Sequence, residues 1–438
     1  MILSFLATIA LTLVTQSAEA QDTLGIERLQ EAALRNDPRV AQRALLRQAT
    51  DLRLEVIAAD RLPRIALNGQ ATHQSDVTRP TFNVPNIAVP DFPKERWQTT
   101  LDVEQRVYDG GDVAQRRALE EARNAESQSA LDVSLYELRS DVNAAFFSAF
   151  LFEKRAAEYQ ALVTDLDARL AAVRARVEAG TALGRDAAEI EAERVRAELQ
   201  RDEARASRRA SLAVLSDLIG HPIDTRAVLV LPSGEPELTH PADPDTIAAL
   251  RRRPEFDQLR RSRELLDREI AYTSVGNRPR VFAFGQAGVG LPGLDQFRTS
   301  SDAFYQVGLK VEWRPWTWRS GQRTAAAYRL QQDIVTTEER ALGRKLARAV
   351  VTDLEDIGRL TAALADDERI VTLRVEAERQ ARAQYDEGAI TTPDYVETRT
   401  DVLEARLTLE RHRVELAQAR SSYLTTLGIT PPTASHTP

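Results

Sequence analysis

The chain has 438 residues, 43% of them hydrophobic and 28% charged but only 6% aromatic, so its apolar content is mostly Ala, Leu and Val. That is the composition of long helices with narrow seams. A formal net charge of -8, with Arg interleaved among Glu and Asp, gives no electrostatic reason to bind nucleic acid, and the absence of Cys excludes disulfides and a lipid-modified Cys within this sequence.

In chain order, residues 2–14 form an uncharged apolar run, and Ala18-Glu19-Ala20 places small residues at alternate positions, as a signal-peptidase site before Gln21 requires. Residues 1–20 are read as a signal peptide, although no Lys or Arg precedes the run. The run is too short for a permanent membrane helix, and no later segment reaches about 18 uninterrupted apolar residues.

The remainder repeats itself. Residues 21–220 and 251–428 are read as two copies of one unit, joined by a linker over 221–250 and followed by a short tail over 429–438. Asn36-Asp37-Pro38 opens the first copy and Arg253-Pro254 the second. Pro63-Arg64-Ile65 and Asn68-Gly69-Gln70-Ala71 are matched by Pro279-Arg280-Val281 and Phe284-Gly285-Gln286-Ala287. Val103-Glu104-Gln105-Arg106 matches Val311-Glu312-Trp313-Arg314, Gly180 and Asp186 match Gly388 and Asp394, and Gly220 matches Gly428. A repeat this long means one structural unit used twice.

Each copy opens on a short helix, predicted over 38–61 and 254–272, and continues into a pair of strands, 64–108 and 280–314. Trp97, Thr99, Leu101, Val103, Gln105 and Val107 alternate with Gln98, Thr100, Asp102, Glu104 and Arg106. Tyr305, Val307, Leu309 and Val311 alternate in the same way with Gln306, Lys310 and Glu312. An apolar face opposite a charged one at period two is the pattern of a strand between lipid and water, and about ten residues suffice to cross a bilayer at a tilt. On that reading Asp102, Glu104, Arg106, Lys310 and Glu312 face a lumen. Trp97, Trp313, Trp316 and Trp318, at the strand ends or just beyond, match an interfacial girdle in contact with lipid. Four strands do not close a barrel, and an open edge in lipid leaves backbone groups unpaired, so the barrel must be shared between chains.

After the strands come long helices. Neither Gly nor Pro interrupts 112–179, which at 1.5 Å per residue makes a helix of roughly 100 Å. Leu135, Leu138, Val142, Ala145, Ala149, Phe152, Ala156, Tyr159, Val163, Leu166, Leu170, Val173 and Val177 follow at steps of three and four, a heptad seam. A break at 180–184 and a second helix to about 219 complete a hairpin. The second copy repeats this over 322–427, with Asp353, Glu368 and Glu378 near positions where apolar residues are expected.

These residues resemble the TolC-type outer-membrane efflux proteins, the outer membrane factor family, over essentially all of 23–428. The carrying motifs are Asn36-Asp37-Pro38 and Arg253-Pro254, Leu62-Pro63 and Arg278-Pro279, Tyr108-Asp109-Gly110-Gly111, and the tips with Gly180 and Gly388 followed by Asp186 and Asp394. The resemblance implies a mainly α chain with a membrane β-barrel contribution. It implies a homotrimer with a twelve-stranded barrel in the outer membrane of a Gram-negative bacterium, a periplasmic barrel of long antiparallel helices, and a belt drawn from 24–35, 221–250 and the tail. It further implies a passive duct without cofactor, which meets a periplasmic adaptor (membrane fusion) protein directly and an inner-membrane transporter indirectly.

At the helical tips, Asp186 and Glu189, like Asp394 and Glu397, stand three apart on one helix face, so three chains would present rings of carboxylate that favour cations and form part of a gate. The competing reading is that Asp186 and Asp394 cap their helices. The tips, with Gly180, Thr181 and Gly184 in one and Gly388, Ala389 and Ile390 in the other, resemble the surfaces that meet an adaptor's helical hairpins. Ile390 stands where better known members of the family carry a basic residue. His73, His221, His240, His412 and His436 lack metal-ligand spacing, and no Gly-rich phosphate loop precedes a helix, so neither a metal site nor an enzyme is expected. The alternative function is a periplasmic or soluble coiled-coil structural or adaptor protein; an adaptor would call for one helical hairpin flanked by compact β-domains.

Overall fold

The computed structural model describes residues 23–77, 93–232, 234–295 and 300–429. The leader expected over 1–20 and the tail after Ile429 lie outside them. In chain order the elements are β1 (Thr23–Gly25), α1 (Ile26–Asn36), α2 (Gln42–Ala59), β2 (Arg64–His73) and β3 (Glu95–Tyr108). Then come α3 (Asp112–Tyr136), α4 (Leu138–Glu178), α5 (Gly184–Ile219), β4 (Val228–Val230), α6 (Pro244–Leu250) and α7 (Pro254–Thr273). The chain continues with β5 (Arg280–Leu291), β6 (Asp302–Glu312), α8 (Ser320–Asp386) and α9 (Thr392–Leu427). The fold is predominantly helical with a few strands.

The described residues divide into two compact units, one within 23–40, 135–250 and 346–429, the other within 41–134 and 251–345. In the first, α4 and α5 form an antiparallel hairpin and α4 also packs on α9. Most of the α4 seam is buried, from Leu138 through Val142, Ala149, Val163 and Leu166 to Val173. Phe146, Phe147 and Phe150 are buried as well, because a helix with neighbours on two sides hides a wider band than a single seam. Phe146 and Phe147 meet edge to face at 5.3 Å and join Ile26 and Leu29 of α1 and Leu212 and Leu215 of α5 in one core.

The expected unbroken helix over 112–179 is instead interrupted for one residue. Glu137 keeps helical angles (φ −61, ψ −27), and the break is a tight turn closed by Ser140 N–H donating to the Glu137 carbonyl at 2.9 Å. The neighbouring Tyr136 hydroxyl donates to the Thr425 carbonyl at 2.5 Å, which anchors this point to the end of α9. The helix expected over 38–61 likewise begins as a 3-10 turn, Pro38–Ala41, before α2.

Polar residues where α8 was expected to be apolar have partners on α9. Asp353 accepts from the Thr426 hydroxyl at 2.8 Å, Glu368 meets Arg413 at 3.1 Å, and Asp367 meets His412 Nδ1 at 2.5 Å. Burial pushes the Asp353 carboxyl above its ordinary pKa. Polar side chains thus bridge α8 and α9, whereas α4 and α5 share a core of apolar ones.

In the second unit the strands form one antiparallel sheet in the order β2-β3-β5-β6. The helices follow the same order. Arg53 of α2 pairs with Glu120 of α3 at 2.8 Å, Arg123 of α3 with Glu269 of α7 at 2.7 Å, and Arg263 of α7 with Glu339 of α8 at 2.9 Å. The sheet register is fixed by side-chain alternation, since a slip of one residue would move every side chain to the opposite face.

Candidate functional site: the helical tip and the two sheet faces

The tip lies in the first unit. Both hairpins turn through a left-handed glycine, Gly180 at φ 72 and Gly388 at φ 76. In each, the next N–H reaches back five residues, Thr181 to the Arg176 carbonyl at 2.8 Å and Ala389 to the Gln384 carbonyl at 2.7 Å. This closing bond satisfies helix carbonyls that otherwise lack partners. Thr181, Gly184 and Ala389 are exposed, whereas Ile390 is half-buried against the tip core, so it serves packing as well as surface.

Asp186 and Asp394 are committed locally. Asp394 accepts the Thr391 N–H at 3.0 Å and the Thr391 hydroxyl at 2.6 Å, and Asp186 accepts the Leu183 N–H at 3.1 Å. A carboxylate in the first turn satisfies free amides and complements the helix dipole, so both residues cap α-helices whatever else they do. The Thr391 hydroxyl and then its backbone N–H hold the Asp394 carboxyl below the usual carboxylate range. Its folded pKa is lowered, so its stabilisation is full above the unfolded value and is lost as pH falls through the folded one. Replacing Asp394 by Ala is expected to speed exchange of the Thr391 amide, whose N–H the carboxylate accepts, and of the amides at 394 and 395, with a smaller effect for Asn. Equal exchange in Asp394→Ala and the unmodified protein would remove the capping role. Glu189 and Glu397, one turn on, are exposed.

Sequence reasoning missed the centre of the tip. Tyr395 is fully buried and stacks on Tyr385 with centroids 5.1 Å apart, among Leu166, Leu170 and Val173 of α4 and Ile190 of α5. The Arg169 guanidinium lies 4.6 Å from the Tyr395 ring centroid and 3.7 Å from Asp386. Arg399 meets Asp165 of α4 at 3.2 Å, a charge contact without hydrogen-bond alignment, and Glu378 of α8 at 3.9 Å. Burial pushes the Tyr395 hydroxyl up to about 12. Four helices thus share one aromatic core ringed by opposite charges. The available signal was two Tyr flanking the Gly388 turn, with Arg399 one turn beyond the second.

The sheet faces lie in the second unit. The register puts Asp102 opposite Ala66 and Gln286, Lys310 opposite Phe282, and Glu312 opposite Arg280, so Asp102, Glu104, Arg106, Lys310 and Glu312 share a face. On it Asp102 accepts from Asn68, from Gln286 at 2.6 Å and from Thr100 at 3.0 Å. Lys310 pairs with Glu312 at 2.7 Å. The face is less uniformly polar than expected: Phe282 sits between Arg106 and Lys310, at 5.7 and 5.8 Å from its ring centroid, and Phe284 and Phe304 cover Gly308 and Gly288 on neighbouring strands. A large ring fills the space a glycine leaves on the next strand.

The opposite face carries Leu67, Leu101, Val103, Val307, Leu309 and Val311, between 37% and 74% exposed. Trp97 lies near one end of the sheet, and Trp313, Trp316 and Trp318 follow the other end, all exposed. Among the described residues no helix is long and apolar enough to cross a membrane.

An open four-stranded sheet with an apolar and a polar face, attached to long helical hairpins, is the fold of outer-membrane efflux channels. Residues 29–221 match the family described as outer membrane efflux protein, which bears out over that span the resemblance drawn from the motifs. Among solved structures, the chain is similar to CusC, in a study of transmembrane channel formation, with TM-score 0.70, 15% identity and 92% of each chain covered. It is similar to the outer membrane protein VceC of Vibrio cholerae (TM-score 0.65, 15% identity, 92% of this chain and 96% of that one). It is also similar to the open state of the MtrE outer membrane channel of Neisseria gonorrhoeae (TM-score 0.65, 18% identity, 92% and 89%). No curated protein matches the chain.

Proposed function

We propose that three copies of this chain form a passive exit duct through the outer membrane of a Gram-negative cell, fed by an inner-membrane transporter through a periplasmic adaptor. The carrying observation is the sheet whose terminal strands, β2 and β6, pair on one side only and whose outward face is apolar and exposed. In water such a patch is an association site, and in lipid each unpaired backbone group at an open edge costs several kcal/mol. Both costs disappear when β2 of one copy pairs with β6 of the next and the apolar face meets lipid. Two copies give eight strands, whose interior is filled by side chains, whereas three give twelve and leave an open lumen. The two-fold repeat then has a use, since each half supplies one strand pair and one helical hairpin to the ring. A scaffold or adaptor gives the alternating sheet no purpose.

The tips close the duct and meet the adaptor on this reading. Asp186 and Asp394 cap their helices while retaining their charge, and the exposed Glu189 and Glu397 add to it, so three chains present carboxylate rings that favour cations. Addition of the purified protein to a planar bilayer is expected to give stable, cation-preferring conductance steps. No conductance contradicts the duct. Ala at both Glu189 and Glu397 is expected to reduce cation preference without fraying the caps; unchanged preference removes the ring while leaving the duct.

A further inference from the structure

A cavity of about 370 Å³ lies in the first unit. One wall is a single face of α9, where Arg413, Leu416, Ala417, Arg420 and Leu424 follow at helical spacing. Facing it are Gly25 and Val230, which pair at the end of the β1–β4 ladder, and Leu231 and Glu235 just beyond; Glu27 of α1 and Leu364 of α8 also line it. At 1.5 Å rise per residue Arg413 stands about 27 Å along α9 from Tyr395, so the cavity is separate from the aromatic core of the tip. Packed interiors leave few voids larger than a water molecule, whereas this one falls within the range of small-molecule sites, about 300–1,000 Å³.

The walls are mostly aliphatic and carry no aromatic ring. Leu416 is buried, and Leu231 and Ala417 rest on the core built around Phe146 and Phe147. Both guanidinium groups on the α9 face are already paired, Arg420 with Glu235 at 2.8 Å and Arg413 with Glu410 at 2.8 Å and Glu368 at 3.1 Å. Glu27 is not. Among the described residues its half-buried carboxylate accepts no hydrogen bond and meets no cation. Its place in the first turn of α1 favours a negative charge. Its Oε2 lies 3.1 Å from where a Cβ on Gly25 would stand, so the glycine leaves the carboxylate room at this wall. We infer that the cavity binds a compact organic cation, an aliphatic group ending in a protonated amine, with the ammonium on Glu27 and the hydrocarbon against Leu231, Leu364, Leu416 and Leu424. A desolvated carboxylate gains most from a charged donor, and the leucines take up the apolar remainder. An anion is rejected, because Glu27, Glu235, Glu368 and Glu410 outnumber Arg413 and Arg420, and it would reach either guanidinium only by displacing a carboxylate already there.

The full chain, purified in mild detergent, is titrated calorimetrically with cyclohexylmethylamine, which is protonated at neutral pH, and with cyclohexylmethanol and cyclohexanecarboxylate, which are close to it in shape and differ in charge. Saturable binding of the amine is expected, with the alcohol and the carboxylate about tenfold weaker or more, since a hydrogen bond between charged groups is lost with the one and replaced by repulsion with the other. Glu27→Gln keeps the shape of the side chain, and should weaken the amine about tenfold while leaving the alcohol unchanged. Ala417→Phe, and separately Leu424→Trp, place a ring in the cavity and should abolish binding of the amine. The site is overturned by no saturable binding of the amine, by equal affinity for the alcohol, by unchanged affinity in Glu27→Gln, or by unchanged affinity in a folded variant with the cavity filled. Melting of each variant is recorded first, and Glu27→Gln keeps the test decisive should a filled cavity prevent folding. Channel conductance plays no part in these readings, so failure of the site leaves the duct standing, and failure of the duct leaves the site.

Discussion

Replacing Val307 by Arg is expected to remove the protein from the outer membrane. Val307 lies opposite Gly285 near the middle of the β5–β6 ladder, on the apolar face, and is 74% exposed. An Arg at the midplane of a lipid-facing strand costs about 2–4 kcal/mol, and a threefold assembly incurs that cost three times, a total comparable with the whole stability of an ordinary domain. Gln306→Arg, one residue away, is the control, because adjacent strand residues point to opposite faces and Arg there enters the polar side. Fractionation of cell envelopes should therefore find the Gln306 variant in the outer membrane and the Val307 variant in aggregates or degraded. Equal behaviour of the two would mean that the faces have been assigned wrongly.

Replacing Tyr395 by Ala is expected to open the tip. The side chain is fully buried at the meeting point of α4, α5, α8 and α9, and truncating a buried aromatic costs about 3–5 kcal/mol. Loss of the stack on Tyr385 also removes the ring beneath Arg169, whose pairing with Asp386 ties α4 to α8. Single-channel conductance should rise while the barrel, and hence the frequency of insertion, is unchanged; unchanged conductance would show that the tip core does not restrict the path. Tyr395→Phe keeps the ring and isolates the hydroxyl. Its folded pKa is raised to about 12 against about 10 in an unfolded chain, so its stabilisation is complete below pH 10 and is lost as pH rises through 12. Thermal melting of the helices should therefore fall more steeply between those values in the unmodified protein than in Tyr395→Phe, and parallel falls would refute the titration.

The sequence shows the elements more clearly than it shows what joins them. Period-two alternation with charges on one face located β3 and β6 and assigned their faces, because every second residue in a strand shares one environment. The heptad seam of α4 was legible for the same reason, most of its positions being buried against neighbouring helices. The α8–α9 contact was not, since Asp353, Glu368 and Glu378 become intelligible only beside Thr426, Arg413 and Arg399. Glu137 carries no breaker signal, and Tyr136 anchors the turn to a carbonyl 289 positions away. The spacing of the tip carboxylates was legible in the sequence, while their capping bonds and the Tyr385–Tyr395 core required the fold. Phe284 and Phe304 were invisible as members of the polar face because the glycines they cover lie on neighbouring strands.

The central claim is a barrel closed by neighbouring copies, and the most direct test is the native mass of protein extracted from outer membranes in mild detergent. Three chains in one assembly, insoluble once detergent is withdrawn, is the predicted result. A single chain that stays dissolved without detergent would leave β2 and β6 unpaired and the apolar face in water, and would contradict the duct.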